Sequence, residues 1–234
     1  MTPFVSELVG TCILILLGNG VVANVVLSKT FGNNGGWIVI TFGWAIAVFV
    51  GVYISAAASG AHLNPAITIS LAFKSGDWSN VPVYIAGQML GGMLGATLVW
   101  AHYRQHYDAT EDAAAQLATF CNAPAINNVF HNLLSEIIGT FVLVFGVLFI
   151  SKPHDTLGSL DALPVALLVL GIGLSLGGST GYAINPARDL APRIMHWILP
   201  MKGKRNSNWR YSWIPVVGPI VGGLIAVLIF NAVQ

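Results

Sequence analysis

The chain has 234 residues and a formal net charge of +1, and 55% of its residues are hydrophobic while only 8% are charged. Because a soluble domain carries about 25% charged residues, this chain has too little charge to cover a water-facing surface, and we expect it to fold in lipid. The balanced charge gives no indication of a nucleic-acid partner. Its two cysteines, Cys12 and Cys121, indicate neither a disulfide framework nor a metal site.

Six apolar segments are long enough, or nearly so, to cross a bilayer, for which a helix needs about 20 mostly apolar residues. In chain order they cover residues 4–27, 37–58, 81–101, 133–150, 161–176 and 213–233. The fifth has the least distinct ends. Residues 1–6 lack the basic segment that opens a cleavable signal peptide. The pattern predicts an all-α membrane protein with six transmembrane helices.

Two further apolar stretches, residues 65–73 and 186–198, are too short to cross a bilayer. Each follows an asparagine and opens with a proline. Asparagine is a good helix N-cap, and proline fits the first helical turn. We therefore predict two re-entrant half-helices. Their non-helical approach segments must be buried in protein or line a water-filled cavity, because exposed backbone is not tolerated in hydrocarbon.

The two halves of the sequence repeat each other. The matching segments are Asn64-Pro65-Ala66 with Asn185-Pro186-Ala187, residues 6–11 with 135–140, and residues 87–92 with 218–223. Each half contains three crossing segments, which is an odd number, so the second half must lie inverted with respect to the first. An inverted repeat places its functional site near the bilayer midplane, at the interface between the repeats.

We expect a single domain over residues 1–234, with the first repeat at 1–101 and the second at 131–234. Residues 102–130 join them as an external polar loop, in which Asp108, Glu111 and Asp112 are expected to form a solvated face.

Glycines recur at four-residue spacing in the last span of each half, at Gly87, Gly91 and Gly95 and at Gly218 and Gly222. Small residues at this spacing allow close approach of helix backbones in membranes. The matching positions predict two packing seams.

These motifs together resemble the major intrinsic protein family, which contains the aquaporins and glycerol facilitators. The resemblance covers essentially the whole chain. The segment Asn185-Pro186-Ala187-Arg188-Asp189 is similar to the glycerol-conducting branch, and in particular to bacterial glycerol uptake facilitators. The resemblance implies an aquaporin-like channel without catalytic residues, metal or cofactor. It also implies a homotetramer in the bacterial plasma membrane, with both termini in the cytoplasm.

In this fold the two half-helices enter from opposite faces and meet at their N-termini. Each N-terminus carries roughly half a positive charge from its aligned peptide dipoles. A cation or excess proton is therefore repelled at the centre of the pore, while Asn64 and Asn185 can donate hydrogen bonds to a neutral solute. A role as helix caps alone is the alternative for these two residues.

The resemblance assigns the outer constriction, or selectivity filter, to Trp44, Gly173, Tyr182 and Arg188. Arg188 would offer donors to solute hydroxyls and repel cations, and the two rings would face solute carbons. Gly173 would leave a wide opening, because water-selective members typically have histidine there. Glycerol facilitators often have phenylalanine where this chain has Tyr182, and this departure affects the expected solute preference.

Four further polar residues lie near the motifs. Glu7 and Glu136 are intramembrane acids, for which a proton relay is one interpretation. The resemblance favours a structural role, in which each accepts hydrogen bonds from a re-entrant segment. His62 is expected to line the pore, and Asp189 to fix the loop near Arg188.

The expected function is passive diffusion of glycerol and other small neutral solutes, such as urea and dihydroxyacetone, together with water. Passage mainly of undissociated lactic acid or of water is an alternative, and so is a proton-coupled secondary transporter. A membrane enzyme is disfavoured, because the sequence has no metal-ligand cluster and no nucleophile–base pair.

The family orientation conflicts with the positive-inside rule. It places Lys74 and Lys152 in the cytoplasm and seven basic residues outside or in the outer vestibule: Lys29, Arg104, Arg193, Lys202, Lys204, Arg205 and Arg210. We follow the family orientation, because Arg188 belongs to the outer mouth of the pore.

Overall fold

The computed structural model describes residues 1–150 and 158–234, and all regular structure in these ranges is helical. The α-helices are α1 (Pro3–Val26), α2 (Gly36–Ser59), α3 (Pro65–Ser75), α4 (Val81–His102), α5 (Arg104–Ala109), α6 (Ala113–Ala118), α7 (Val129–Ile150), α8 (Leu163–Leu176), α9 (Pro186–Ile198) and α10 (Ile214–Val233). A short 3-10 helix at Gly158–Leu160 precedes α8. Lys152, which we expect in the cytoplasm, lies outside the described residues.

Five of the described helices, α1, α2, α4, α7 and α10, are long and apolar enough to cross a membrane. The remaining predicted span corresponds to α8, which has 14 residues. At about 1.5 Å per residue this helix is roughly 21 Å long, which is shorter than the hydrocarbon core of about 30 Å. The apolar pattern therefore predicted the position of α8, and the helix is two residues shorter at its start because Pro164 lies in its first turn.

The two half-helices begin where the Asn-Pro pairs predict. Asn64 and Asn185 are extended N-cap residues with φ of −158° and −156°. Helix α3 runs two residues beyond the predicted end and stops at Gly76, whose φ is +77°. Helix α9 ends as predicted, and Lys204 Nζ donates to the carbonyl oxygen of Leu199, 2.7 Å away. A cation at this position stabilises the exposed carbonyls of a helix C-terminus.

Helix packing follows the repeat. In the first half α1 packs against α2 and α4, and in the second half α7 packs against α8 and α10. Each half-helix also packs against a helix of the other half, since α3 contacts α10 and α9 contacts α4. These contacts place both half-helices at the interface between the repeats, as an inverted repeat requires.

The predicted glycine seams are confirmed. A Cβ atom added at Gly91 would lie 2.2 Å from the carbonyl oxygen of Leu8 on α1. A Cβ atom at Gly222 would lie at the same distance, 2.2 Å, from the carbonyl oxygen of Ile137 on α7. Any side chain would separate these helices, because carbon atoms do not approach oxygen so closely. The last span of each half is thus held directly against the backbone of the first.

Residues 102–130 are more than a solvated loop. The acidic residues predicted as a solvated face are exposed, and Asp112 caps α6 by accepting from Ala114 N at 2.8 Å. However, Tyr107 and Phe120 are almost fully buried. Gln116 Nε2 donates to the carbonyl oxygen of Lys202 at 3.1 Å, which joins this segment to the loop after α9. Polar composition predicted a loop, and the buried aromatic residues show that it packs against the helices.

We expect Gly91→Ala and Gly222→Ala to lower the thermal unfolding midpoint in detergent. Overpacking of a tight contact costs about 1–3 kcal/mol. Gly171→Ala is the matched control, because a Cβ atom at Gly171 meets nothing within 4 Å and alanine favours helix more than glycine does. Equal midpoints for all three variants would contradict the close contact at the seams.

Candidate functional site

The approach segments before the two half-helices share an unusual backbone. Left-handed φ angles recur at matching positions: 77°, 52° and 50° at Gly60, Ala61 and Leu63, and 76°, 41° and 44° at Gly181, Tyr182 and Ile184. A residue other than glycine in this region costs on the order of 1–3 kcal/mol, and β-branched Ile184 is a marked outlier. Such a conformation persists only where surrounding contacts hold it.

Glu7 holds the first approach segment. Its Oε1 accepts from His62 N at 2.9 Å and from the Ser59 hydroxyl at 2.6 Å, and its Oε2 accepts from Leu63 N at 2.7 Å and Gln88 Nε2 at 2.8 Å. The carboxyl group is fully buried. Two donors on each oxygen compensate the loss of water around a buried carboxylate.

Glu136 holds the second approach segment in the same way. Its Oε1 accepts from Ala183 N at 3.0 Å and from the Thr180 hydroxyl at 2.6 Å, while its Oε2 accepts from Ile184 N at 2.9 Å. It is 1% exposed. Each acid therefore accepts from one hydroxyl and from two backbone N–H groups of its approach segment, and the additional bond from Gln88 to Glu7 has no counterpart at Glu136 among the described residues.

The two asparagines join the half-helices to each other. Asn64 Oδ1 accepts from Ala66 N at 2.9 Å and caps α3, while Asn64 Nδ2 donates to the Ile184 carbonyl at 2.8 Å. Asn185 Oδ1 accepts from Ala187 N at 3.0 Å and caps α9, while Asn185 Nδ2 donates to the Leu63 carbonyl at 2.8 Å. Each amide carries two N–H groups, and only one of them donates to a described residue, which leaves the other for a solute. Capping and donation therefore coexist in the same side chain.

A cavity of about 850 Å³ runs past both asparagines. One wall consists of the approach segments with their polar backbone. The opposite wall is apolar and includes Leu14, Val48, Val52, Ile67, Leu143 and Val169. Its lining also includes Arg188, Tyr182 and Pro164, which lies at the start of α8. We refer to this cavity as the lumen.

Arg188 and Trp44 face each other and both line the lumen. The Arg188 Cζ atom lies 4.3 Å from the centre of the Trp44 ring, within the range of a cation–π contact. Arg188 is 7% exposed. Its backbone N–H donates to Asn185 Oδ1 at 3.2 Å, whereas its guanidinium donates no hydrogen bond within residues 1–150 and 158–234. The guanidinium donors are thus directed at the lumen.

Gly173 lies behind the ring of Tyr182 and does not itself line the lumen. A Cβ atom at Gly173 would lie 2.9 Å from Tyr182 Cζ and 3.0 Å from Tyr182 Oη. Trp37 Nε1 donates to the Gly173 carbonyl at 2.9 Å, and the Trp37 ring meets the Tyr182 ring edge-on at 5.8 Å. We expected open space at Gly173, but the tyrosine ring fills it.

His62 and Leu71 line both the lumen and a second cavity of about 310 Å³, which also contacts Thr68 and Tyr84. The His62 Nδ1 atom lies 3.2 Å from the Thr68 hydroxyl, and the His62 ring lies 4.6 Å from the ring of Tyr84. Pro65, Ala66, Pro186 and Ala187 are buried at the starts of the half-helices and fix where those helices begin.

Asp189 is fully buried and forms an ion pair with Arg193, with 2.7 Å between Asp189 Oδ1 and Arg193 Nη2. We expected Arg193 to be an outer or vestibular charge, but it is completely buried in the structure. The other Asp189 oxygen accepts from Asn122 N at 2.7 Å, and Asn122 Nδ2 donates to the Thr180 carbonyl at 2.9 Å. The spacing of four residues between Asp189 and Arg193 on one helix could have indicated the pair. No sequence signal points to Asn122 or to Trp37.

This chain is similar to known proteins in both sequence and structure. The family model described as "Major intrinsic protein" matches residues 1–230. The chain is 55% identical over 232 residues to a glycerol uptake facilitator protein of Streptococcus pneumoniae, covering 99% of each chain. It is 53% identical to the glycerol uptake facilitator protein of Bacillus subtilis, covering 99% of this chain and 85% of that protein. The X-ray structure of the aquaglyceroporin from Plasmodium falciparum matches with a TM-score of 0.86 and 32% identity, covering 98% of this chain and 95% of that one. With the inverted repeat and the paired half-helices, these matches show that the chain belongs to the major intrinsic protein family.

Proposed function

We propose that this protein is a passive transmembrane channel for glycerol and other small neutral solutes, together with water. The observation that carries the proposal is the constriction, where the Arg188 guanidinium has no hydrogen-bond partner among the described residues and faces an aromatic ring at 4.3 Å. The guanidinium donors open onto the lumen, so a solute that supplies hydroxyl oxygens can form charge-assisted hydrogen bonds with them there. The printed names of the bacterial relatives and of the Plasmodium falciparum structure support the same solute.

The shape of a polyol fits the two-sided lumen. Its hydroxyl groups can face Arg188, the free N–H groups of Asn64 and Asn185, and the polar backbone of the approach segments. Its carbon atoms can face the Trp44 ring and the apolar wall. A small neutral solute thus exchanges its hydration for fixed partners, and it passes because no single partner holds it strongly.

Ions meet a barrier in the same channel. The N-termini of α3 and α9 face the centre of the lumen, and each carries roughly half a positive charge. Arg188 adds a full positive charge at the constriction. A cation or excess proton that leaves bulk water therefore meets positive potential at two successive levels.

The buried acids do not favour a proton-coupled transporter. The Glu7 carboxylate receives four hydrogen bonds and the Glu136 carboxylate receives three, and two of the donors to each acid are backbone N–H groups of the approach segment that it holds. Protonating either acid would remove acceptors from a strained backbone. We infer that both acids are supports for the pore, and that solute flux is independent of a proton gradient.

We also infer the setting of the channel in the cell. The whole chain forms one channel domain in a bacterial plasma membrane, with repeats at residues 1–101 and 131–234 and an external connection at 102–130. Both termini lie in the cytoplasm, and the subunits form homotetramers. Two of the basic residues that oppose this orientation are engaged within the protein, since Arg193 is buried against Asp189 and Lys204 caps α9. Charge counting therefore overstates the conflict.

Stopped-flow light scattering on proteoliposomes tests the proposed function. We expect fast entry of glycerol, and measurable entry of water, urea and dihydroxyacetone, at rates that do not depend on pH or on a sodium gradient. Lactic acid belongs in the same panel. Vesicles that conduct only water or only lactic acid, or whose glycerol entry requires an ion gradient, would contradict the proposal.

The variant Arg188→Val should raise the leak of protons and small cations, because it removes the full positive charge while leaving the half-helix dipoles in place. A pH-sensitive dye enclosed in the vesicles measures the leak, with protein-free vesicles as the baseline. An unchanged leak in this variant would show that the dipoles alone provide the barrier.

The variant Tyr182→Phe should retain the glycerol-to-water permeability ratio of the unmodified channel within about twofold. The Tyr182 hydroxyl is buried beside Gly173 without a hydrogen-bond partner among the described residues, so its removal leaves the ring in place and deletes an unsatisfied polar atom. The unfolding midpoint should not fall. A clear drop in glycerol entry alone would show that this hydroxyl contacts the solute.

A further inference from the structure

We propose that Gly18, on α1 and outside the lumen, sets the width of the constriction by providing the surface against which the Trp44 ring lies. This inference rests on the proposed function, because it concerns the selectivity of the same pore. The role is one of positioning: Gly18 acts on the solute only through Trp44.

The contact between Gly18 and Trp44 has no room for a side chain. A Cβ atom added at Gly18 would lie 2.3 Å from Trp44 Cζ3, 2.4 Å from Cε3 and 2.5 Å from Cη2. Two carbon atoms in contact normally lie about 3.5–4.0 Å apart. A single methyl group at this position would therefore displace the six-membered ring of Trp44 by about 1 Å or more.

The lumen is the free space into which the ring can move. Trp44 is 4% exposed and packs within the buried apolar core, which has little room to yield. The ring also borders the lumen, and Arg188 lies 4.3 Å from its centre. A methyl group at position 18 would therefore displace the Trp44 ring into the opening beside Arg188, at the point where a solute must pass.

A neighbouring glycine provides a matched control. Gly20 lies on the same helix, two residues from Gly18, and a Cβ atom at Gly20 would meet nothing within 4 Å. Gly18→Ala and Gly20→Ala make the same chemical change and gain the same intrinsic helix propensity. They differ in the contact with Trp44.

The experiment measures glycerol and water permeability of the unmodified channel, Gly18→Ala and Gly20→Ala in proteoliposomes. We expect Gly18→Ala to lower glycerol permeability about tenfold, equivalent to about 1.4 kcal/mol in the barrier. Water permeability should fall much less, because water is smaller than the narrowed opening, and Gly20→Ala should keep the unmodified ratio. Absence of glycerol conduction by the unmodified channel would contradict the proposed function itself.

A second substitution distinguishes displacement of the ring from general damage to α1. Phenylalanine lacks the outer ring atoms that approach Gly18, so Gly18→Ala combined with Trp44→Phe should give the same glycerol-to-water ratio as Trp44→Phe alone. The double variant should also fold if Gly18→Ala by itself does not. The inference is wrong if Gly18→Ala keeps the glycerol-to-water ratio of the unmodified channel, or if Gly20→Ala loses glycerol permeability equally. It is also wrong if the double variant has a lower glycerol-to-water ratio than Trp44→Phe alone.

Discussion

The crossed hydrogen bonds of Asn64 and Asn185 are the interaction on which the rest of the structure depends. Each asparagine caps its own half-helix and donates to the carbonyl that precedes the opposite one, at 2.8 Å in both directions. Two helix N-termini, whose positive ends repel each other, are thereby held face to face. The accepting carbonyls belong to Leu63 and Ile184 in the strained approach segments. Glu7 and Glu136 accept hydrogen bonds from the backbone N–H groups of these same two residues. Carboxylates, strained backbone and crossed amides thus form one connected unit that repeats in both halves.

We propose that selectivity among neutral solutes depends more on the packing of side chains around this unit than on polar groups. The asparagines and helix dipoles exclude charge, but they do not distinguish one neutral solute from another. We propose that this distinction depends on the positions of the Trp44 and Tyr182 rings relative to Arg188. Both rings lie against glycines that do not line the lumen: Gly18 behind Trp44, and Gly173 behind Tyr182. A residue of the pore wall therefore takes its position from the helix behind it.

Much of this arrangement could be predicted from the sequence, and what could not has a common cause. The Asn-Pro pairs predicted the half-helices, the duplicated segments predicted the inverted repeat, and the glycine spacing predicted the helix contacts, because each signal is local or repeated. The sequence did not predict that Tyr182 fills the space at Gly173 or that Arg193 is buried. The position of Tyr182 depends on Trp37, whose indole N–H donates to the Gly173 carbonyl 136 positions away. Arg193 has a local partner in Asp189, but it also donates to the Asn122 carbonyl 71 positions away. Local patterns carry no information on such contacts.

The central proposal for this protein is that a neutral solute crosses it without any ion. Simultaneous recording of vesicle volume and internal pH during glycerol entry, on the unmodified protein in a tight proteoliposome, tests it most directly. We predict rapid volume recovery with no change in internal pH beyond that of protein-free vesicles. A pH change that follows the glycerol influx in constant proportion would contradict it, because protons would then be moving with the solute.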